Sequence, residues 1–307
     1  MISEDRTEKL PRGHRTIKHW SPSNIELLWE CPRKYEYTIV QERDAPTNAS
    51  LAFGLFLHGC FKRFFNQRET KKGPKIGYKD RQAFVGQGAQ LWRQILEGQC
   101  GPRGFGTPPV KMRWLYLGQE AALWNRLFVI LSVFWEDNQD YLKDKFLFPM
   151  VEKRLTAKLP SFRFGEYEII GHVDRIQPVA GGKEIWDYKT GQNLPSGEYL
   201  KQHQAMAFYE FLFWQNFGHW PLAVKLYYPH YGLAKGLIRV PLPPDHREER
   251  IEQLVVWLDE ATRSVLEVME PQALGESRPS RFLYPLSPGR FIKQPGDPKC
   301  WLCDFHK

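Results

Sequence analysis

The stretch GHVDRIQPVAGGKEIWDYKTG, residues 171–191, carries the reading of the fold. Two apolar runs flank a Gly-Gly pair at Gly181 and Gly182, the pattern of a β-hairpin. Residues i and i+2 of a strand share a face, so Asp187 and Lys189 point one way and Tyr188 the other. Asp174 and Asp187 stand thirteen positions apart, and a hairpin brings carboxylates so spaced to one place. Two carboxylates hold a hard divalent cation through oxygen, and a neighbouring ammonium orients water or stabilises a developing oxyanion. Metal-assisted hydrolysis of a phosphodiester needs that set of groups.

Working outward, residues 148–159, 167–176 and 183–188 read as three strands. Glu152 is the only acid inside the first of them. By itself it suits a salt bridge with Lys153 or Arg154, or a solvated edge. Upstream, Ser21 and Pro22 form a helix start, a capping hydroxyl followed by proline in the first turn. That helix leads into CPRKYEY at 31–37, where Arg33 and Lys34 suit either phosphate contact or a solvated basic turn. Residues 52–67 read as a helix with His58 among apolar neighbours, by itself the pattern of a structural histidine. Residues 83–97 and 118–141 are also helical, separated by Gly- and Pro-rich loops. Downstream, 200–217 reads as a buried helix because it is apolar on nearly every side, and 248–269 as an amphipathic one. A hairpin over 222–242 turns at HYGLAKG.

The expected class is α/β, a central mixed sheet flanked by helices. The expected divisions are a polar N-terminus at 1–19, a helical part at 20–66, a helical insertion at 67–145, a core at 146–243, and a C-terminal helix with a cysteine-containing tail at 244–307. Among 307 residues, Lys and Arg number 43 and Asp and Glu 35, a net charge of +8 that suits a polyanionic partner. The charged N-terminus lacks an apolar segment, which argues against a secretory leader, and no apolar run is long enough to span a bilayer. Five cysteines in a chain this long make no disulfide scaffold, so a cytoplasmic setting is expected.

These motifs, in this order, resemble the PD-(D/E)XK nucleases, and in detail the RecB-like exonuclease branch that includes CRISPR-associated and AddB-type iron–sulfur nucleases. The resemblance rests on FGLFLHG with His58, GHVD with Asp174, DYKTG with Asp187 and Lys189, and QHQAMAFYEF with Gln204. It implies a metal-dependent deoxyribonuclease, acting on single-stranded or end-containing DNA in recombination, phage replication, CRISPR adaptation or defence. It implies that His58, Asp174, Asp187 and the Tyr188 carbonyl hold Mg²⁺ or Mn²⁺, with Glu152 reaching the metal through water. Lys189 then serves the attacking water and Gln204 orients the substrate or Lys189. The branch carries a tyrosine one turn after the glutamine. Here that position is Phe208, and the tyrosine follows as Tyr209, a candidate DNA contact. Basic residues Arg33, Lys34, Lys62 and Arg63 would grip DNA with little sequence readout.

The same resemblance implies an iron–sulfur cluster held by Cys31, Cys300 and Cys303, a ligand set of three where a complete one has four. Zinc, or unrelated thiols, are the alternatives for these cysteines. Two other functional readings compete: a sequence-specific endonuclease, disfavoured by the lack of a recognisable specificity domain, and a non-catalytic DNA-binding subunit of a larger nuclease or helicase complex, disfavoured by the intact His-Asp-Asp-Lys set. Protein partners in a repair, CRISPR or phage complex are compatible with the resemblance.

Overall fold

The structure is a computed structural model and describes residues 19–35, 38–39, 47–66, 78–103, 107–142, 147–161, 163–197, 200, 205–241 and 244–273. Gln204, Cys300 and Cys303 lie outside them.

Helix α1 (Pro22–Glu30) starts as its sequence demands, with the Ser21 hydroxyl accepting from the Asn24 N–H at 3.2 Å and proline in the first turn. A short turn of helix, α2 (Pro32–Tyr35), follows and carries Arg33 and Lys34. Strand β1 (Thr47–Asn48) pairs in parallel with β2 (Met112–Arg113), a contact between distant segments that no local pattern announces. Between them run α3 (Ala49–Asn66), which carries His58, and α4 (Arg81–Leu96), capped by Asp80, whose carboxylate accepts from Ala83 N–H at 2.8 Å. Helix α5 (Gln119–Asn138) leads to the sheet.

The three expected strands appear as β3 (Met150–Pro160), β4 (Glu166–Val179) and β5 (Gly182–Tyr188). After α6 (Ala205–Phe217) come β6 (Ala223–Tyr227), a short α7 (Gly232–Gly236) and β7 (Leu237–Arg239). The expected hairpin at HYGLAKG is therefore a strand pair whose connection folds into a helical turn. Helix α8 (Arg247–Ala273) closes the described chain. The sheet runs β3-β4-β5-β6-β7, with β5 and β6 parallel and the other neighbours antiparallel.

Each face of the sheet packs against helices. On one side Ile169, Val173, Ile176, Ile185, Val224 and Leu226 meet α1, α6 and α8. On the other, Trp186, Tyr188 and Tyr227 meet the aromatic layer of α3, α4 and α5. A strand covered on both sides reads as an apolar run, which is why β5 shows Ile, Trp and Tyr in near succession. Among the described residues no helix is long and apolar enough to cross a membrane.

Candidate metal and hydrolysis site

The sheet changes character where its acids stand. The β4–β5 ladder runs from Val179 opposite Gly182 to Arg175 opposite Trp186, and ends there. Asp174 and Asp187 are the next residue on each strand. Asp174 reaches across the parting, and its Oδ2 accepts the N–H of Tyr188 at 2.6 Å. On its other side, β3 pairs Val151 with Arg175 and Lys153 with Val173, but leaves out Glu152 and Asp174 between them. Glu152 there adopts φ +50°, a left-handed conformation uncommon for a residue with a side chain. Departure from regular pairing on both edges frees these acids from strict alternation.

Helix α3 supplies the imidazole. His58 Nδ1 lies 3.1 Å from Asp174 Oδ1 and 3.8 Å from Glu152 Oε1. Its ring packs edge-on to Tyr188, with centroids 5.8 Å apart. Burial alone would lower the His58 pKa. The charges of Asp174, Glu152 and Asp187 outweigh that effect and hold it up at about 10. Burial raises Asp174, opposed by His58 and by the Tyr188 N–H, and reinforced by Asp187. Lys189 Nζ pairs with Asp187 Oδ2 at 2.7 Å, as the strand alternation requires. Burial opposes the charge on Lys189, but Asp187 overrides it and raises the pKa, so the ammonium stays protonated.

His58, Glu152 and Asp174 each offer one ligand atom, and these atoms lie within 4.8 Å of one another. Glu152 Oε1 is buried with no hydrogen-bond partner, a cost that a cation would relieve. Two carboxylates and one imidazole form a donor set of the kind that binds Mg²⁺ or Mn²⁺. The residues present fit such an ion. Glu152 stands beside His58 in this geometry, its Oε1 3.8 Å from the imidazole, while Lys153 and Arg154 are exposed.

Tyr209, on α6, is close enough to the site for its hydroxyl to feel the acids. Burial and the charges of Asp187, Asp174, Glu26 and Glu152 raise its pKa well above the ordinary value. Gly171 makes room for that helix, because a Cβ there would stand 2.5 Å from Leu212 Cδ1 and 3.2 Å from Tyr209 Cε1. Phe208 is fully buried and faces away into the core. Glu26 on α1 was not legible in the sequence. Its charge raises both Lys189 and Tyr209. A single acid on an amphipathic helix carries no local signal of such a place. Lys62 is exposed and Lys34 half-buried. Arg63 lies near Cys60, Cys100 and Tyr78, where its charge partly offsets the rise that burial imposes on their pKa values. Cys31 is a partly buried free thiol.

No curated protein matches this chain. Among solved structures, one titled "Crystal structure of SSO0001" is similar over 66% of this chain and 86% of that one, at 13% identity and a TM-score of 0.25, too loose a likeness to bear on function. The family model of the PD-(D/E)XK nuclease superfamily matches residues 19–306. That span takes in α1, the His58 helix, the parted strands with their acids and lysine, and every helix packed on the sheet, so the chain belongs to the PD-(D/E)XK nuclease superfamily.

Proposed function

We propose that this nuclease is a metal-dependent deoxyribonuclease of the RecB-like branch, acting as an exonuclease on single-stranded or end-containing DNA. The observation that carries the reading is the convergence of His58, Glu152 and Asp174 ligand atoms within 4.8 Å, next to the Asp187–Lys189 pair.

His58, Asp174 and Asp187 would hold Mg²⁺ or Mn²⁺, with the Tyr188 carbonyl and with Glu152 directly or through water. When bound, such an ion lowers the pKa of a coordinated water and neutralises charge on the scissile phosphate. The remaining work falls to the chain itself. Asp187 keeps Lys189 protonated, so the ammonium donates hydrogen bonds to the attacking water and to the phosphoryl oxygens as charge builds there. The Tyr188 N–H bond fixes one oxygen of Asp174 and leaves the other turned to His58. Gln204 and Tyr209 would orient the strand, while Arg33, Lys34, Lys62 and Arg63 contact phosphates without reading bases. An iron–sulfur cluster on Cys31, Cys300 and Cys303, and partners in a repair, CRISPR or phage complex, belong to the same reading.

The experiment is digestion of labelled single- and double-stranded DNA, open-ended and end-blocked, by the purified protein with Mg²⁺, Mn²⁺ or EDTA. Metal-dependent release of nucleotides from free ends, absent in Lys189→Ala, is the expected result. Cleavage that survives EDTA, or that persists in Lys189→Ala, would overturn it.

A further inference from the structure

The loop that follows Lys189 is held from three sides, by groups that have no role in the site described so far. Arg126, on α5, donates from its Nη2 to the carbonyl of Thr190. The Tyr231 hydroxyl donates to the carbonyl of Gln192. On α3, a Cβ added at Gly54 would stand 3.2 Å from Thr190 Oγ1, so the loop lies directly on the helix that carries His58. Lys189 itself keeps a sheet hydrogen bond, its N–H donating to the Tyr227 carbonyl at 2.8 Å. Beyond it, residues 190–192 have neither strand nor helix pairing.

A guanidinium bond to a carbonyl is charge-assisted, roughly twice as strong as a neutral one. Arg126 is itself constrained. Its Cζ sits 5.6 Å from the Phe53 ring centroid, and its Nε is buried without a hydrogen-bond partner. A cation burying an unsatisfied donor in order to grip one backbone oxygen is a costly arrangement for mere loop packing. Thr190 is one peptide unit from Lys189, whose ammonium must meet Asp187 at 2.7 Å.

We propose that Arg126 is a positioning residue for the hydrolysis. By fixing the Thr190 carbonyl against α5, it sets where the Lys189 backbone sits and hence where the ammonium points. The proposal rests on the function proposed above. Arg126 lies 64 positions before Thr190, in a helix that otherwise reads as packing, and no motif marks it.

The test compares wild type with Arg126→Gln, Arg126→Lys and Tyr231→Phe. Steady-state cleavage of end-labelled single-stranded DNA in Mn²⁺ gives kcat and KM, thermal melting reports the fold, and hydrogen exchange is followed over residues 187–195. Misplacing a catalytic group by about 1 Å costs on the order of 10²-fold. Arg126→Gln is therefore expected to lose ~10- to 100-fold in kcat with KM nearly unchanged, and to exchange faster over 187–195. Arg126→Lys, which keeps a charged donor, recovers most of the loss. A kcat within about twofold of wild type, a loss confined to KM, or unchanged exchange would overturn the proposal. Should Arg126→Gln fail to fold, Tyr231→Phe decides: it removes one hydroxyl from the same clamp, and an unaltered kcat and exchange pattern overturn the idea. A wild-type protein without metal-dependent cleavage sinks the function instead, and the clamp then stands or falls on the exchange data alone.

Discussion

Asp174 bonds two partners from different parts of the chain, and one of them is His58, 116 positions upstream, whose Nδ1 stands 3.1 Å from Asp174 Oδ1. With Tyr188 N–H on the other oxygen, the carboxylate is pinned between a strand end and a helix. The two bonds hold both oxygens of Asp174, and for His58 and Asp174 to share an ion the imidazole would have to give up its proton and this contact.

Removing any one of the central groups should abolish the reaction while sparing the fold. Asp174→Asn, Asp187→Asn and Lys189→Ala are each expected to lose ~10²-fold or more in cleavage rate. Circular dichroism should stay native, while melting should fall in Lys189→Ala and Asp174→Asn, which take a charge partner from Asp187 and from His58. A purified variant that cuts at near wild-type rate would remove that residue from the site.

Metal binding should release a proton near neutral pH. With the surrounding acids holding His58 at about 10, the imidazole is protonated at pH 7 in the metal-free protein, and an imidazole must be neutral to bind a metal. The same shift sets a stability trend in EDTA. A histidine raised from the ordinary ~6.5 contributes stability that is full below that value and lost as pH rises toward about 10. Melting temperature in EDTA should therefore fall between pH 7 and pH 10, and less so in His58→Gln. Calorimetry in buffers of different ionisation enthalpy measures the proton; none released would contradict the assignment of His58.

Glu152 separates metal binding from folding. Its buried Oε1, without a hydrogen-bond partner, should make the wild-type protein bind metal more tightly than Glu152→Gln, with the half-activating Mn²⁺ concentration rising ~10- to 100-fold in the variant. Melting in EDTA should fall only slightly, because the lost 3.8 Å ion pair with His58 is offset by removing a negative charge from a crowded acidic site. A metal titration indistinguishable from wild type would place Glu152 outside the site.

DNA binding should be electrostatic. With a net charge of +8, affinity for single strands should fall steeply with salt, log K losing about 0.7 per neutralised phosphate for each decade of salt. Fluorescence anisotropy with oligonucleotides of unrelated sequence tests this. A salt-insensitive affinity, or strong preference for one short sequence, would count against it.

A cluster on Cys31, Cys300 and Cys303 would clip the C-terminal tail to α1 and α2 and close a loop around nearly the whole chain, stabilising it through loop closure. Anaerobic purification should then give a coloured protein containing iron, and Cys31→Ala should lower its melting temperature. Colourless protein without iron or zinc, with unchanged melting in Cys31→Ala, would exclude the cluster.

What the sequence determined by itself is what short-range physics controls. Alternation fixed the shared face of Asp187 and Lys189 and the opposite face of Tyr188, because side chains two apart on a strand must align. The serine before a proline placed the start of α1, and the apolar circumference of 200–217 marked a buried helix, which the structure describes over Ala205–Phe217 between sheet and α8. His58 was legible only by resemblance, since a lone histidine on an apolar helix has no local mark of function. The tertiary structure alone decided that Glu152 turns to φ +50° beside His58, that Glu26 on α1 acts on Lys189, and that Arg126 grips the loop behind it. Each of these depends on where a helix lies on the sheet. That placement is settled by the packing of two aromatic-rich layers on opposite faces, a property summed over the whole chain and written in no single stretch of it.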